Sequence, residues 1–97
     1  MIKATQIEFG VQKRPYADHI YRWKVTADEG EDANQVAAYM RENIEECKNA
    51  MSRLKWYEEY RSGSFERMME AVYAGRLEIE KKDNGTFEVK KIQPYID

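Results

Sequence analysis

The sequence is poor in the residues around which small proteins often build a reactive site. Its 97 residues include one cysteine, Cys47, and one histidine, His19. A single cysteine excludes an internal disulfide, and such a chain suits a reducing compartment. A zinc site would lack most of its usual ligands, and the chain has no acidic loop of the calcium-binding type. We therefore predict no metal, no cofactor and a cytoplasmic location.

Glycine, proline and long apolar runs are also scarce. The five glycines are isolated from one another, so no glycine-rich loop could hold a phosphate. No apolar run approaches the roughly 20 residues of a membrane span, and the alternating, polar start differs from a signal peptide. A nucleophile, a base and an orienting group do not occur together in any recognisable arrangement. We predict a protein that is not an enzyme and has no membrane contact.

Neither sign of charge dominates the composition. The 16 Lys and Arg residues and 18 Asp and Glu residues leave a net charge of −2. A dedicated nucleic-acid-binding protein usually has a clear basic excess, so nucleic acid is not the favoured partner. The unusual feature is the aromatic content, with two Trp, seven Tyr and three Phe. The positions of these residues decide whether they form a core or a binding surface.

The most regular pattern lies in residues 33–61, where apolar side chains recur every three or four positions. This spacing predicts one long helix with a single apolar face. Asp32 and Gln35 fit a capping box at its start, and Gly63 is placed to end it in the left-handed conformation. The apolar face consists of Ala37, Met40, Ile44, Cys47, Met51, Leu54 and Tyr57.

Apolar and polar residues alternate before this helix, which predicts two strands. The first strand carries Ile7, Phe9 and Val11 on one face, and the second carries Tyr21, Trp23 and Val25. Pro15 interrupts the pattern between them and predicts a connection. We expect an antiparallel hairpin in which Phe9 lies opposite Trp23, with all six apolar side chains facing the core.

A second amphipathic segment and a second hairpin follow Gly63. Ser64 is a reasonable N-cap for a short helix that ends at Gly75. The two strands of the hairpin flank Asp83-Asn84-Gly85, and matching their apolar faces requires that Ile79 lie opposite Val89. A three-residue loop with Gly85 left-handed gives this register and also places Lys81 opposite Phe87.

The predicted fold is a single α+β domain, residues 1–97, with the order ββααββ. Both hairpins have one apolar face, so we expect them to share one antiparallel sheet covered on one side by a long and a short helix. The result is a two-layer sandwich.

Two aromatic residues depart from the amphipathic pattern of the long helix. Trp56 and Tyr60 project from its polar side, with Arg53 and Arg61 nearby. Either the short helix folds back and covers them, or they form an exposed anchor of the residue types enriched at interface hot spots. We predict that Arg53, Trp56, Tyr60 and Arg61 form a binding patch and that at least its Tyr60 end is exposed.

These features favour a small protein-binding module. Proteins of this size without evident chemistry are frequent among phage and mobile-element inhibitors, which occlude a surface of a host protein. One alternative is a nucleic-acid-associated accessory protein, because positive charge and aromatic rings combine near Trp56. The other is a structural homo-oligomer, such as a homodimer, built on the long helix.

Overall fold

The computed structural model describes residues 1–96, which form five strands and three α-helices around one sheet. The elements are β1 (Lys3–Gln12), β2 (His19–Thr26), α1 (Ala33–Asn43), a 3-10 turn (Glu45–Cys47), β3 (Met51–Ser52), α2 (Arg53–Ser62), α3 (Phe65–Ala74), β4 (Arg76–Asp83) and β5 (Thr86–Gln93). The sheet has the order β1-β2-β5-β4-β3, in which β3 and β4 are parallel and the other pairs are antiparallel.

The α+β class is confirmed, but the order ββααββ is wrong. The structure has a fifth strand, β3, and a third helix between the two hairpins. The first hairpin, β1–β2, and the second, β4–β5, meet through β2 and β5. Alternate residues of these two central strands form the core together with the apolar side of α1, the 3-10 turn and the start of β4. Its fully buried side chains include Val25, Val36, Met40, Cys47, Leu77, Phe87 and Val89.

The predicted helix over residues 33–61 is wrong, because the chain leaves the helical conformation between α1 and α2. Ile44 is extended, with φ −113° and ψ 119°, and Asn49 is left-handed, with φ +64°. Both conformations suit their residues, since β-branched side chains favour extended backbone and asparagine tolerates the left-handed region. Met51 then donates its backbone N–H to the Gly75 carbonyl at 3.2 Å, which starts the parallel pairing of β3 with β4.

The break divides the predicted apolar face into a buried and an exposed part. Cys47 is fully buried although it lies outside both helices, because the 3-10 turn carries it back onto the core. Leu54 lies beyond the break and is largely exposed on the first turn of α2. The three-four spacing thus continues across two helices that bury different faces.

The helix ends follow the sequence signals in part. The capping box is confirmed, since Asp32 accepts from the backbone N–H of Gln35 while the Gln35 side chain accepts from that of Asp32. Ser64 caps α3 by accepting from the N–H of Arg67. The left-handed exit at Gly63 is wrong, because its φ is −121°. A Cβ there would lie 2.8 Å from the Arg67 Cβ, so the helix-to-helix connection needs glycine for space.

The predicted register of the first hairpin is also wrong. Gln6, and not Phe9, lies opposite Trp23, so Ala4, and not Ile7, lies opposite Val25. The pairing of β1 with β2 is irregular between Gln6 and Glu8 and again between Glu8 and Val11.

These irregularities leave apolar side chains of β1 in water. Phe9 packs edge-on against Tyr21, with ring centroids 5.4 Å apart. It is nevertheless 66% exposed, while Ile7 is 54% and Val11 is 40% exposed. The expectation that these three residues face the core is wrong.

The second hairpin has the register that its apolar pattern requires. Ile79 lies opposite Val89, and Lys81 lies opposite Phe87. The turn is tighter than expected, because Asp83 pairs with Thr86 and the register is restored by an irregularity next to Asp83. Gly85 is left-handed, with φ +77°, as the sequence predicts.

Candidate functional site

Trp56 is a structural residue of the candidate site. It is 7% exposed, because α3 folds back beside α2 and covers it. Its indole Nε1–H donates to the backbone carbonyl of Ala71 at 2.7 Å, and the Arg76 guanidinium lies 5.1 Å from its ring centroid. The structure therefore places Trp56 inside the protein, between α2, α3 and the start of β4.

Tyr60 lies at the surface end of the same aromatic pair. Its ring is stacked on that of Trp56, with centroids 4.8 Å apart and an interplanar angle of 16°. It remains 41% exposed. The buried indole thus supports one face of the Tyr60 ring, while the rest of the phenol side chain reaches solvent.

A second arrangement on α2 brings the two predicted arginines together around Tyr57. The Arg53 guanidinium lies 6.0 Å and that of Arg61 5.7 Å from the Tyr57 ring centroid. The three residues are spaced by four, so they follow one another along one side of the helix. We call Arg53, Tyr57 and Arg61 the arginine–tyrosine row. Sequence reasoning missed Tyr57 because it fitted the apolar face, although an arginine four residues to each side was a visible signal.

The charges of α2 are divided between two sides of the helix. Glu59 faces α3, where it binds Arg67 at 2.9 Å and also Lys55 at 3.3 Å. Within residues 1–96, neither Arg53 nor Arg61 forms an ion pair, and both are exposed. The arginine–tyrosine row therefore presents two positive charges to solvent.

One end of the row opens onto a groove beside the sheet. The groove has a volume of about 510 Å³ and is bordered by Arg53 and Leu54 of α2. Ala33 and Ala37 of α1 form its apolar wall, and β4 forms its floor from Leu77 to Glu80. The exposed surface of α2 thus continues from the arginine–tyrosine row into a partly apolar depression.

Two of the groups with shifted pKa values, Cys47 and Lys91, lie in the interior, away from the row. Burial raises the pKa of the Cys47 thiol to about 12, and burial lowers the pKa of the Lys91 ammonium. The Lys91 Nζ donates to the Gln93 side chain at 2.6 Å and lies 5.3 Å from the Tyr21 ring centroid. These contacts describe a satisfied buried amine and a protonated core thiol.

Residues 1–96 contain no group of three or more His, Cys, Asp or Glu side chains that could hold a metal ion. None of their helices is long and apolar enough to cross a membrane. The chain matches no protein-family model, no curated protein and no solved structure.

Proposed function

We propose that this protein is a non-enzymatic protein-binding module that uses the exposed side of α2 to occlude an acidic surface of its partner. The carrying observation is that Arg53 and Arg61 lie against one tyrosine ring, exposed and without an ion pair in the described residues. Arginine and tyrosine are the residue types that dominate binding energy at protein interfaces.

The contacts that hold Tyr57 and Tyr60 in place favour a binding role for this surface. Tyr60 is held by stacking on the buried Trp56, and Tyr57 is flanked by both guanidinium groups. Side chains that are already ordered lose less conformational entropy when a partner binds. The row and Tyr60 therefore form a pre-organised surface on one short helix.

The chemistry of the row indicates what the partner presents. A guanidinium binds a carboxylate through two parallel hydrogen bonds, and Arg53 and Arg61 are separated by about 12 Å along the helix. A partner with two carboxylates at that distance and an apolar contact between them fits the row. By covering such a surface, the module would inhibit its partner without chemistry, in the manner of phage and mobile-element inhibitors.

The test is capture of a partner by wild-type and charge-reversed protein. Immobilised wild-type protein and Arg53→Glu/Arg61→Glu are incubated with lysate from the organism that encodes the protein, and bound proteins are identified by mass spectrometry. The matched control, Arg14→Glu/Lys48→Glu, makes the same charge change at two other exposed positions. We expect a protein that is retained by wild type and the control and lost with the α2 variant. Equal retention by all three would contradict the proposal.

A nucleic-acid partner remains the second candidate, because alternating arginine and aromatic side chains also stack on single-stranded bases. Against it stand the net charge of −2 and the exposed Glu58 on the same helix. The capture is therefore repeated with nuclease-treated lysate, and duplex and single-stranded oligonucleotides are tested by gel shift. We expect capture to survive nuclease and no sub-micromolar binding at physiological salt. Salt-sensitive, tight binding of an oligonucleotide would favour the second candidate.

The third alternative, a homo-oligomer built on one long helix, loses its structural basis. The segment that would form the seam is interrupted between α1 and α2. The apolar side of α1 is buried in the core, so it does not support this alternative, and self-association stays a prediction.

A further inference from the structure

The groove beside α2 follows a part of β4 that lacks a strand on its outer side. β3 pairs with β4 only at Arg76 and Leu77, and the chain then leaves the sheet as α2. In the described residues, β4 has no strand on this side from Glu78 onward. Ser52 and Arg53 line the groove, so it begins where β3 ends. The protein itself therefore fills the first two positions of this edge with a strand and leaves the next ones open.

Backbone groups of β4 point into the open positions. Met51 donates its N–H to the Gly75 carbonyl from the β3 side. Alternate residues of a strand turn their N–H and C=O groups to the same edge, so Leu77 and Ile79 turn theirs to this side as well. Leu77 pairs with β3, whereas Ile79 has no strand beside it in the described residues. A strand added in the groove would bond the N–H and C=O of Ile79.

The groove is lined from both faces of the sheet. On the core face, Ala33 and Ala37 of α1 stand beside Ile79, and Leu54 of α2 adds an apolar side chain that is 82% exposed. On the opposite face the lining is charged and includes Glu80. Side chains of an extended segment alternate between the two faces of a sheet. The lining therefore fits an extended segment in the plane of the sheet, with apolar side chains towards α1.

The charges of the groove favour a segment that also carries carboxylates. Arg53 and Lys90 line the groove and form no ion pair within residues 1–96. The three glutamates of the lining are instead already paired with cations of the protein, at 2.7 to 3.3 Å: Glu78 with Arg76, Glu80 with Lys82, and Glu88 with Arg22. The charges left unmatched in the groove are therefore positive.

We propose that the groove binds an extended segment of a partner protein in which apolar and acidic residues alternate, and that this segment extends the sheet beside β4 in line with β3. Its apolar side chains lie against Ala33 and Ala37, and one carboxylate binds Arg53. In complexes of this kind, backbone hydrogen bonds supply affinity and alternate side chains supply specificity. The inference does not rest on the proposed function, which concerns the arginine–tyrosine row, although Arg53 borders both surfaces.

The first experiment selects binding segments from a displayed library of random decapeptides on immobilised wild-type protein. Enriched peptides are synthesised with a fluorescent label, and their dissociation constants are measured by anisotropy. Ala33→Glu places a carboxylate in the groove at the first position of α1, where a negative charge suits the helix. Ala38→Glu makes the same change at an exposed alanine of α1 that does not line the groove. Thermal melts check that both variants fold.

We expect the enriched peptides to alternate apolar and acidic residues. Ala33→Glu should raise their dissociation constant at least about tenfold, and Ala38→Glu less than about twofold. Equal binding to wild type and Ala33→Glu, or no peptide with a dissociation constant below about 1 mM, would overturn the proposal. A wild-type dimer that Ala33→Glu dissociates in sedimentation equilibrium would assign the groove to a second copy of this chain instead.

The two proposals can fail separately. Peptides that bind wild type and are lost with Ala33→Glu would support the groove even if no lysate protein depended on the arginine–tyrosine row. Failure to enrich any peptide, with a lysate protein that is lost only with Arg53→Glu/Arg61→Glu, would support the proposed function and overturn the inference about the groove.

The second experiment tests whether a bound peptide forms a strand. Amide hydrogen exchange is followed by NMR with and without saturating peptide. Glu78 and Glu80 turn their N–H groups to β5 and provide an internal control. We expect the peptide to slow exchange at Ile79 at least about tenfold, and to slow it less at the two glutamates. Unchanged exchange at Ile79 with the peptide bound would overturn the addition of a strand.

Discussion

At the scale of single residues, Trp56 and Tyr60 should contribute differently to the stability of the fold although their rings are stacked. Trp56 is packed on both faces and bonded through its indole N–H, whereas Tyr60 is supported on one side. We expect Trp56→Ala to lower the free energy of unfolding by about 3–5 kcal/mol. Tyr60→Ala should cost about 1 kcal/mol or less, since its ring is partly in water. Urea unfolding of both variants measures the difference, and equal losses would show that Tyr60 is as buried as its neighbour.

The buried thiol of Cys47 should make the protein sensitive to alkali. Its pKa is raised to about 12 in the folded chain, against about 9 when exposed. Above pH 9 the unfolded chain loses this proton and the folded chain keeps it, so the free energy of unfolding falls as pH rises, by up to about 1.4 kcal/mol per pH unit. Lys91, whose pKa is lowered by burial, acts in the opposite direction over part of this range.

Comparison with Cys47→Ala tests the contribution of the thiol. Both proteins keep Lys91, so the difference between their stability curves from pH 8 to 10.5 reports the ionisation of Cys47 together with its charge interaction with Lys91. We expect the wild-type curve to fall more steeply. Parallel curves would mean that the thiol ionises as easily in the folded chain as in the unfolded one.

At the scale of secondary-structure elements, the break between α1 and α2 depends on one left-handed residue. Asn49 has φ +64°, a conformation that costs most residues about 1–2 kcal/mol and asparagine less. We expect Asn49→Gly to change the free energy of unfolding by less than about 0.5 kcal/mol and Asn49→Val to lower it by more than about 1 kcal/mol. Thermal unfolding of the two variants tests this. A stable Asn49→Val protein with increased helical circular dichroism would indicate that the segment can become one helix.

The sequence predicts most elements but not where the central helix stops. Spacing of three and four residues continues through Ile44, Cys47 and Met51, so periodicity cannot distinguish one helix from two helices joined by a compact turn. A tertiary interaction stabilises the break: the backbone N–H of Met51 donates to the carbonyl of Gly75. No local sequence pattern predicts this hydrogen bond. The predicted register of the first hairpin is wrong for a similar reason, because alternation does not reveal the two places where β1 has an extra residue relative to β2.

The sequence also predicts only part of the candidate site, because the rest depends on tertiary packing. Arg53, Tyr60 and Arg61 are exposed on α2, as a surface patch requires, and their binding role stays a prediction. Whether Trp56 is covered depended on the return of α3, and the sequence left both outcomes open. The spacing places Tyr57 on the apolar face only if residues 33–61 form one helix, and the structure has two helices there.

At the scale of the whole molecule, an ion-pair network crosses the sheet from β1 to β4. Arg22 contacts Glu8 and Glu88, each at 2.7 Å, and Lys82 contacts Glu88 at 3.5 Å and Glu80 at 3.3 Å. The hydrogen bond from Arg22 is the main cause that lowers the pKa of Glu88. The network ties residues from four strands together on the face of the sheet that also carries most of its charge.

This network should contribute to acid unfolding. Because the pKa of Glu88 is lower in the folded chain, its contribution to stability is present above about pH 4.5 and is lost as pH falls below that value. We expect Arg22→Gln to reduce the pH dependence of the free energy of unfolding between about pH 4.5 and 3. Lys48→Gln, which removes one positive charge at an exposed position outside the sheet, is the control. If the free energy of unfolding fell equally with pH in all three proteins, the ion pair between Arg22 and Glu88 would contribute nothing to stability in solution.

The position of β5 also determines when the protein can fold. It is the last strand of the described chain, yet it lies in the middle of the sheet, between β2 and β4. Its contacts with β2 join residues such as Arg22 and Glu88, which are 66 positions apart. Contacts between such distant residues slow folding, because a large loop must close before they form. A nascent chain that has emerged only as far as Asp83 therefore contains the first hairpin and β4 but lacks β5, the strand that lies between them. We expect the complete sheet to assemble only after Gln93 has left the ribosome.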